Sequence, residues 1–187
     1  RNYAELFNDA LFWNSIRVTF FLLLFDIPFK VFTPLVLAVM LNSRVVRAKS
    51  FFRGGYYLPQ VTSSVVVATM FAYFFNRDTG FVNFALSLVG IQPINWLFDQ
   101  FWAKICLVLL SAWASQGWHM VVYLAGLQGI PNEVIEAAIV DGANRRQIFF
   151  KITMPLLQPM IVFTAIIATI SGLQRFAEPF LLTNGGP

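Results

Sequence analysis

Four long runs of apolar residues, separated by three polar connections, dominate the sequence. They cover residues 13–41, 57–75, 103–124 and 156–174. A helix needs about 20 mostly apolar residues to cross the hydrocarbon core of a bilayer, and each run has about that length or more. Charged residues make up 12% of the chain, whereas soluble domains carry about 25%. The sequence therefore predicts an all-α, polytopic transmembrane helix bundle with about four spans, forming a single transmembrane domain over residues 1–187.

The first run is longer than a bilayer requires. At a rise of about 1.5 Å per residue, residues 13–41 would reach about 43 Å, so this helix must tilt, kink at its prolines or protrude. Asp26 and Lys30 lie four residues apart within it, which places them on one helix face. They are either a buried pair that neutralises itself or residues that line a water-filled cavity, and the sequence leaves both readings open.

Basic residues in the connections predict the orientation, because Lys and Arg are enriched in cytoplasmic loops. The connection 42–55 holds four of them and the connection 125–155 holds three, whereas 76–102 holds only Arg77. We therefore place the first and third connections in the cytoplasm and the second outside. Within the second connection, apolar residues at helical spacing over 81–89 predict a short amphipathic helix on the outer surface.

The third connection has the pattern of an ordered helix–turn–helix. Pro131 suits the first turn of a helix, where its missing N–H loses no partner, and Glu133 lies where the helix dipole favours a carboxylate. Gly142 can take a positive φ and so predicts the end of the first helix, with a second short helix over about 143–152. Small residues bordered by carboxylates favour insertion into a cleft of another protein. The alternative, a helix lying on lipid, usually carries Lys and Arg on its polar face.

This connection, over about residues 127–155, resembles a known motif. Its Glu136-Ala137-Ala138, followed by Asp141-Gly142-Ala143 and then by Ile152 and Pro155, is similar to the "EAA" loop of permeases in binding-protein-dependent ABC importers. Further stretches resemble the sugar-permease branch, of the maltose and glycerol-phosphate type. They are Asn14-Ser15, Leu41-Asn42, Phe51-Phe52-Arg53 with Leu58-Pro59, Phe75-Asn76 with Gly80, Asn95-Trp96-Leu97 and 180–187.

The resemblance implies a multi-pass permease subunit in the inner membrane of a bacterial cell. It implies that this subunit takes part in the import of a carbohydrate. It implies as partners a pair of ATP-binding cassette subunits, a second and non-identical permease subunit, and an extracytoplasmic solute-binding protein, all within membrane lipid. It implies that the ATPase contact is formed by Glu136, Ala137, Ala138, Asp141, Gly142 and Ala143. Such permeases usually have more spans, so we expect the chain to be a fragment that lacks one at each end.

Several other classes of protein fit the sequence poorly. It holds no phosphate-binding glycine loop with Lys and Ser or Thr, so we expect a transport subunit that does not itself hydrolyse ATP.

Cys106 and His119 are the single cysteine and histidine, and we expect no metal, no cofactor and a packing role for the histidine. The segments that flank the basic residues are too apolar for nucleic acid. Permeases for polyamine, phosphate or peptide remain alternatives, as do, less favourably, an intramembrane enzyme and a secondary transporter.

The third apolar run carries small polar residues beside an aromatic one, and the fourth carries small residues with a polar one near its outer end. Such groups suit the hydroxyls and apolar ring faces of a sugar, and helical spacing places those of each run on one face. Small residues at this spacing also let membrane helices pack closely, and this alternative remains open for the fourth run. The predicted substrate path consists of Ser111, Ser115, Trp118, Thr169, Gly172 and Gln174.

Overall fold

The computed structural model describes residues 2–43, 46 and 48–186, and this part of the chain is helical. Two of the basic residues of the first connection, Arg44 and Arg47, lie outside it. The helices are α1 (Asn2–Asn8), α2 (Ala10–Asn42), α3 (Lys49–Val61), α4 (Ser64–Phe74), α5 (Phe81–Ser87), α6 (Gln100–Gln128), α7 (Asn132–Val140), α8 (Arg145–Ile148), α9 (Met154–Leu173) and α10 (Ala177–Thr183). A turn of π-helix, Phe149–Thr153, joins α8 to α9.

Three helical segments are long and apolar enough to cross a membrane among the residues described: Ala10–Asn42, Gln100–Gln128 and Arg145–Leu173. They correspond to the first, third and fourth apolar runs of the sequence. The 33 residues of α2 reach about 50 Å at 1.5 Å per residue, so this helix exceeds the hydrocarbon core. The prediction of an all-α membrane bundle is confirmed.

The second apolar run does not form one helix. α3 ends at Val61 and α4 begins at Ser64, so the predicted continuous span over 57–75 was wrong. The 11 residues of α4 reach about 17 Å, too short for the hydrocarbon core. Ser63 has extended backbone, with φ −56° and ψ 135°, and forms the N-cap of α4. Hydroxyl side chains at residues 62 and 63 favour such a break, because Ser and Thr stabilise helix starts more than helix interiors.

The described chain divides into two compact units. The first unit comprises Arg1–Pro28, Thr62–Ala114 and Thr169–Pro187, and the second comprises Phe29–Val61 and Ser115–Ala168. In the first unit α10 packs against α4. The core of the first unit consists of Leu22, Val67, Ala68, Trp96, Leu97, Cys106, Leu107, Val108, Leu110 and Leu182. That of the second unit consists of Leu35, Ala38, Leu41, Met120, Tyr123, Leu124, Leu127 and Leu157.

Within the second unit, α6 lies against α3 and is joined to α9 by a hydrogen bond. A Cβ added to Gly117 would meet the backbone of Tyr56, so the two helices touch without an intervening side chain. The Tyr123 hydroxyl lies 2.5 Å from Thr164 Oγ1. His119 is buried, and its Nδ1 lies 2.9 Å from a backbone carbonyl of the same helix, which agrees with the packing role expected for it.

A buried asparagine organises the second connection in the first unit. Asn83 lies on α5, the short helix predicted over 81–89, and is 4% exposed. Its Nδ2 donates to the carbonyls of Arg77 at 2.9 Å and Ile94 at 2.8 Å. Its Oδ1 accepts from Ile94 N–H at 3.1 Å and from Trp96 Nε1 at 2.8 Å. One side chain therefore joins both sides of the connection to the core tryptophan.

Candidate functional site

The third connection folds as the predicted helix–turn–helix. Pro131 is the N-cap of α7, one residue before the first helical turn in which it was expected. At the other end, Gly142 N–H donates to the Ile139 carbonyl at 3.0 Å and Ala143 N–H to the Ala138 carbonyl at 2.9 Å. These two bonds form a Schellman motif, which requires a left-handed residue. Gly142 supplies it with φ +80°, so the glycine ends α7 as predicted.

A capping box begins the next helix. Asn144 Oδ1 accepts from Gln147 N–H at 2.9 Å, and Gln147 Oε1 accepts from Asn144 N–H at 2.8 Å. This reciprocal arrangement satisfies two backbone donors at the start of α8. This capping box was not among the features predicted from the sequence, although Asn144 and Gln147 have the required spacing. Together with the Schellman motif, it fixes the path of the turn between α7 and α8.

α7 and its turn present a mixed face of carboxylates, small residues and aliphatic side chains. Of the six predicted docking residues, Glu136, Ala137, Asp141 and Gly142 are exposed, Ala143 is half-buried and Ala138 is buried. Beside them, Ile139 is 58% exposed and Val140 is 87% exposed. Exposed aliphatic side chains next to an ordered turn are typical of a protein-contact surface. Ala138 instead contributes its backbone carbonyl to the turn.

A buried polar cluster lies in the first unit. Arg175 Nη2 donates to the Asp26 carboxylate and, at 2.8 Å, to the Ser111 hydroxyl. The side chains of Arg175 and Asp26 are 4% and 0% exposed. Buried charges need partners because desolvation is expensive. The spacing along the sequence suggested Lys30 as a partner of Asp26 and gave no sign of Arg175, which is 149 positions away.

A cavity of about 230 Å³ adjoins this cluster, and residues of α2, α6, α9 and α10 line it. Polar side chains at its wall include Asn14, Thr19, Lys104, Arg175 and Thr183. Of the predicted path residues, Gly172 is part of this wall. Ser111 is joined to the wall through its hydrogen bond with Arg175. The structure therefore places two of the six predicted path residues at or next to this polar cavity.

The other four predicted path residues are not among the described residues that line this cavity. Ser115 and Trp118 lie on α6 in the second unit and are half-buried. The Trp118 ring packs near Phe163, with centroids 6.2 Å apart. Thr169 is half-buried and Gln174 is exposed.

The family of the chain follows from comparison with known proteins. Residues 14–187 match the family described as "Binding-protein-dependent transport system inner membrane component". The chain belongs to this family. It is 38% identical to the lactose transport system permease protein LacF of Rhizobium radiobacter, over 98% of this chain and 62% of that protein. It is 35% identical to the arabinooligosaccharides transport system permease protein AraP of Bacillus subtilis, over 100% of this chain and 60% of that protein.

A solved structure at 30% identity shares the fold. In the crystal structure of a bacterial ABC transporter involved in the import of the acidic polysaccharide alginate, one chain superposes with a TM-score of 0.88. The two are 30% identical, over 97% of this chain and 64% of that one. The chain thus spans about three fifths of the length of the relatives named here. It is a multi-pass component of the inner membrane.

Proposed function

We propose that this chain is the permease part of an ATP-driven, binding-protein-dependent importer of carbohydrate. The observation that carries the proposal is the ordered α7–turn–α8 connection with its EAA-type residues, in a chain of the inner-membrane permease family. The names of LacF and AraP, which refer to lactose and to arabinooligosaccharides, support saccharides as cargo. An importer of another solute, such as a polyamine or phosphate, is the competing assignment.

The proposed mechanism assigns ATP hydrolysis to a separate pair of ATP-binding cassette subunits. α7 docks on one of them, so that their closure on ATP moves the spans between inward-facing and outward-facing states. A second, non-identical permease completes the pathway, and an external solute-binding protein delivers the cargo. Energetically, α7 couples the two proteins because its affinity for the ATPase differs between the two states of the ATPase.

The proposed docking face consists of Glu136, Ala137, Ala138, Asp141, Gly142 and Ala143. Its exposed carboxylates and aliphatic side chains offer both polar and apolar contacts, and the small residues allow close approach of the partner. The turn geometry also supports the assignment. Two hydrogen bonds at the end of α7 and two at the start of α8 hold the face in one conformation, which a lever needs in order to transmit movement.

Replacing Gly142 tests the docking assignment. In the full complex, Gly142→Asp should leave ATP hydrolysis measurable while lowering uptake into vesicles at least tenfold, because bulk and charge are added to the contact. A residue other than glycine in the left-handed conformation costs about 1–2 kcal/mol, too little to prevent insertion. Gly129→Asp is the matched control, since Gly129 is exposed in the same connection and its added Cβ would meet nothing closer than 3.5 Å. Normal uptake by Gly142→Asp would contradict the assignment.

The substrate path is proposed to include Ser111, Ser115, Trp118, Thr169, Gly172 and Gln174. Trp118→Ala should lower uptake several-fold while sparing the stimulation of ATPase activity by loaded binding protein. Unchanged uptake in both Ser115→Leu and Trp118→Ala would remove this face of α6 from the path. The class of cargo is tested with the same vesicles. Accumulation of spermidine or phosphate, and of no saccharide, would favour the competing assignment.

A further inference from the structure

The wall of the cavity in the first unit carries a cationic side chain whose hydrogen-bond donors are not all paired among the described residues. Arg175 lines the cavity, and its side chain is 4% exposed. Its Nη2 is occupied by Asp26 and Ser111. Its Nη1 is buried and has no hydrogen-bond partner within the part of the chain that the structure describes. Buried donors are nearly always paired in folded proteins, so an unpaired buried donor on a residue that lines a cavity needs an explanation.

A second cation lines the same cavity. Lys104 lies on α6 and is half-buried. Its Nζ is 5.2 Å from the centroid of the Phe21 ring, within the range of a cation–π contact. Among the described residues that line the cavity, Lys104 and Arg175 are the charged ones. The Asp26 carboxylate pairs with Arg175, and the described residues that line the cavity include no carboxylate that would balance Lys104.

We propose that this cavity binds an anionic substituent, a carboxylate or a sulfonate, carried by the imported carbohydrate. An anionic oxygen would accept a hydrogen bond from Arg175 Nη1 and lie near the Lys104 ammonium. Such charge-assisted bonds are roughly twice as strong as neutral ones, which favours an anion over a sugar hydroxyl at this place. Partial burial keeps both cations from being fully screened by water.

The rest of the wall suits the sugar that carries the anion. Asn14, Thr19 and Thr183 offer amide and hydroxyl groups, which can bond to sugar hydroxyls in either direction. The volume of about 230 Å³ is below the roughly 300–1,000 Å³ of pockets for drug-sized ligands. It therefore suits one sugar unit rather than a whole oligosaccharide. The inference rests on the proposed function, since it assigns a charge class to the cargo of the same importer.

Binding to the full-length permease in its complete complex tests the inference, with glucuronate as the anionic probe and glucose as its neutral counterpart. In nanodiscs of phosphatidylcholine, titrations followed by thermal shift should show glucuronate binding about tenfold tighter than glucose. Lys104→Met keeps the apolar stem against Phe21 and removes the charge. It should lower glucuronate affinity about tenfold and leave glucose affinity unchanged.

A control and a second variant protect the test. Arg77→Met removes one exposed cation of the same unit that is outside the cavity wall, and it should change neither affinity. Replacing Arg175 by an uncharged residue would leave Asp26 buried without this partner, which endangers folding. Arg175→Lys keeps the positive charge that balances Asp26 and reduces the number of N–H donors. It should also lower the affinity for glucuronate more than the affinity for glucose. Equal affinity for the two probes, or equal loss of both in Lys104→Met, would overturn the inference.

Anionic lipid headgroups offer the same chemistry as the cargo. Suppose that phosphatidylglycerol nanodiscs raised the thermal stability of the wild type but not of Lys104→Met, and that glucuronate had no effect in phosphatidylcholine. The site would then bind lipid, and the inference would fail. Uptake into proteoliposomes with the solute-binding protein separates this failure from that of the proposed function. Accumulation of a neutral saccharide without any preference for glucuronate would defeat the inference alone. Accumulation of no saccharide, neutral or anionic, would defeat the carbohydrate assignment.

Discussion

Replacing Asn83 by alanine should loosen the second connection without unfolding the protein. The side chain makes four hydrogen bonds, two as donor and two as acceptor. The variant leaves the Trp96 Nε1 donor and both backbone groups of Ile94 without these partners. The carbonyl of Arg77 belongs to an exposed residue, so water can replace the lost bond there.

The size of the effect follows from burial. Each buried donor or acceptor left unsatisfied costs about 1–3 kcal/mol. Trp96 is 9% exposed, so its N–H carries most of that penalty, whereas Ile94 is half-buried and can be partly hydrated. We therefore expect the local opening free energy of the connection to fall by about 3 kcal/mol. At about 1.4 kcal/mol per tenfold change, hydrogen exchange should speed up about a hundredfold.

Amide hydrogen exchange measured by mass spectrometry on peptides that cover residues 81–97 checks this expectation. Gln92→Ala is the control, because Gln92 is exposed in the same connection, and it should exchange like the wild type. Asn83→Asp keeps the acceptor oxygen but places a second carboxylate oxygen against the carbonyls of Arg77 and Ile94, so its connection should exchange at least as fast as that of Asn83→Ala. Exchange in Asn83→Ala within threefold of the wild type would refute the view that this side chain holds the connection.

Three further predictions concern the second unit and the orientation of the chain. Gly117→Ala should lower stability in SDS titration by about 1–3 kcal/mol, since its Cβ would meet the Tyr56 backbone; wild-type stability would contradict the close approach. Tyr123→Phe should cost about 0.5–1 kcal/mol by loss of its bond to Thr164, and in a Thr164→Val background the same change should cost nothing. A cysteine replacing Arg146, in a chain without the native cysteine, should resist an impermeant thiol reagent applied to whole cells; labelling would overturn the predicted topology.

The long spans were predictable because a bilayer fixes their length and composition locally. The helices that contain residues 13–41, 103–124 and 156–174 are found within a few residues of the predicted positions. The run 57–75 was not predicted correctly. Its average hydropathy resembles that of a span, but three consecutive hydroxyl residues, Thr62, Ser63 and Ser64, allow the backbone to leave the helix. An average over a whole window conceals such a local alternative.

The third connection was also predictable, for a different reason. A positive φ strongly favours glycine, so Gly142 specifies where α7 ends without reference to the rest of the fold. The capping box that starts α8 is equally local and was overlooked. The exposure of the small residues of this connection could not be predicted from the local sequence: Ala138 is buried although its neighbour Ala137 is exposed. Burial depends on what packs against the helix.

The sequence by itself determined that the chain crosses a membrane, where three long spans lie and where the turn between α7 and α8 falls, because hydrophobic length and backbone conformation are properties of short segments. Only the tertiary structure decided the break within the run 57–75, the pairing of Asp26 with Arg175 and the position of Arg175 at a cavity wall. These two residues are 149 positions apart, and each has nearer residues of opposite charge along the chain. A buried charge is stabilised by whatever group the packing brings to it, and spacing along the sequence does not reveal that group.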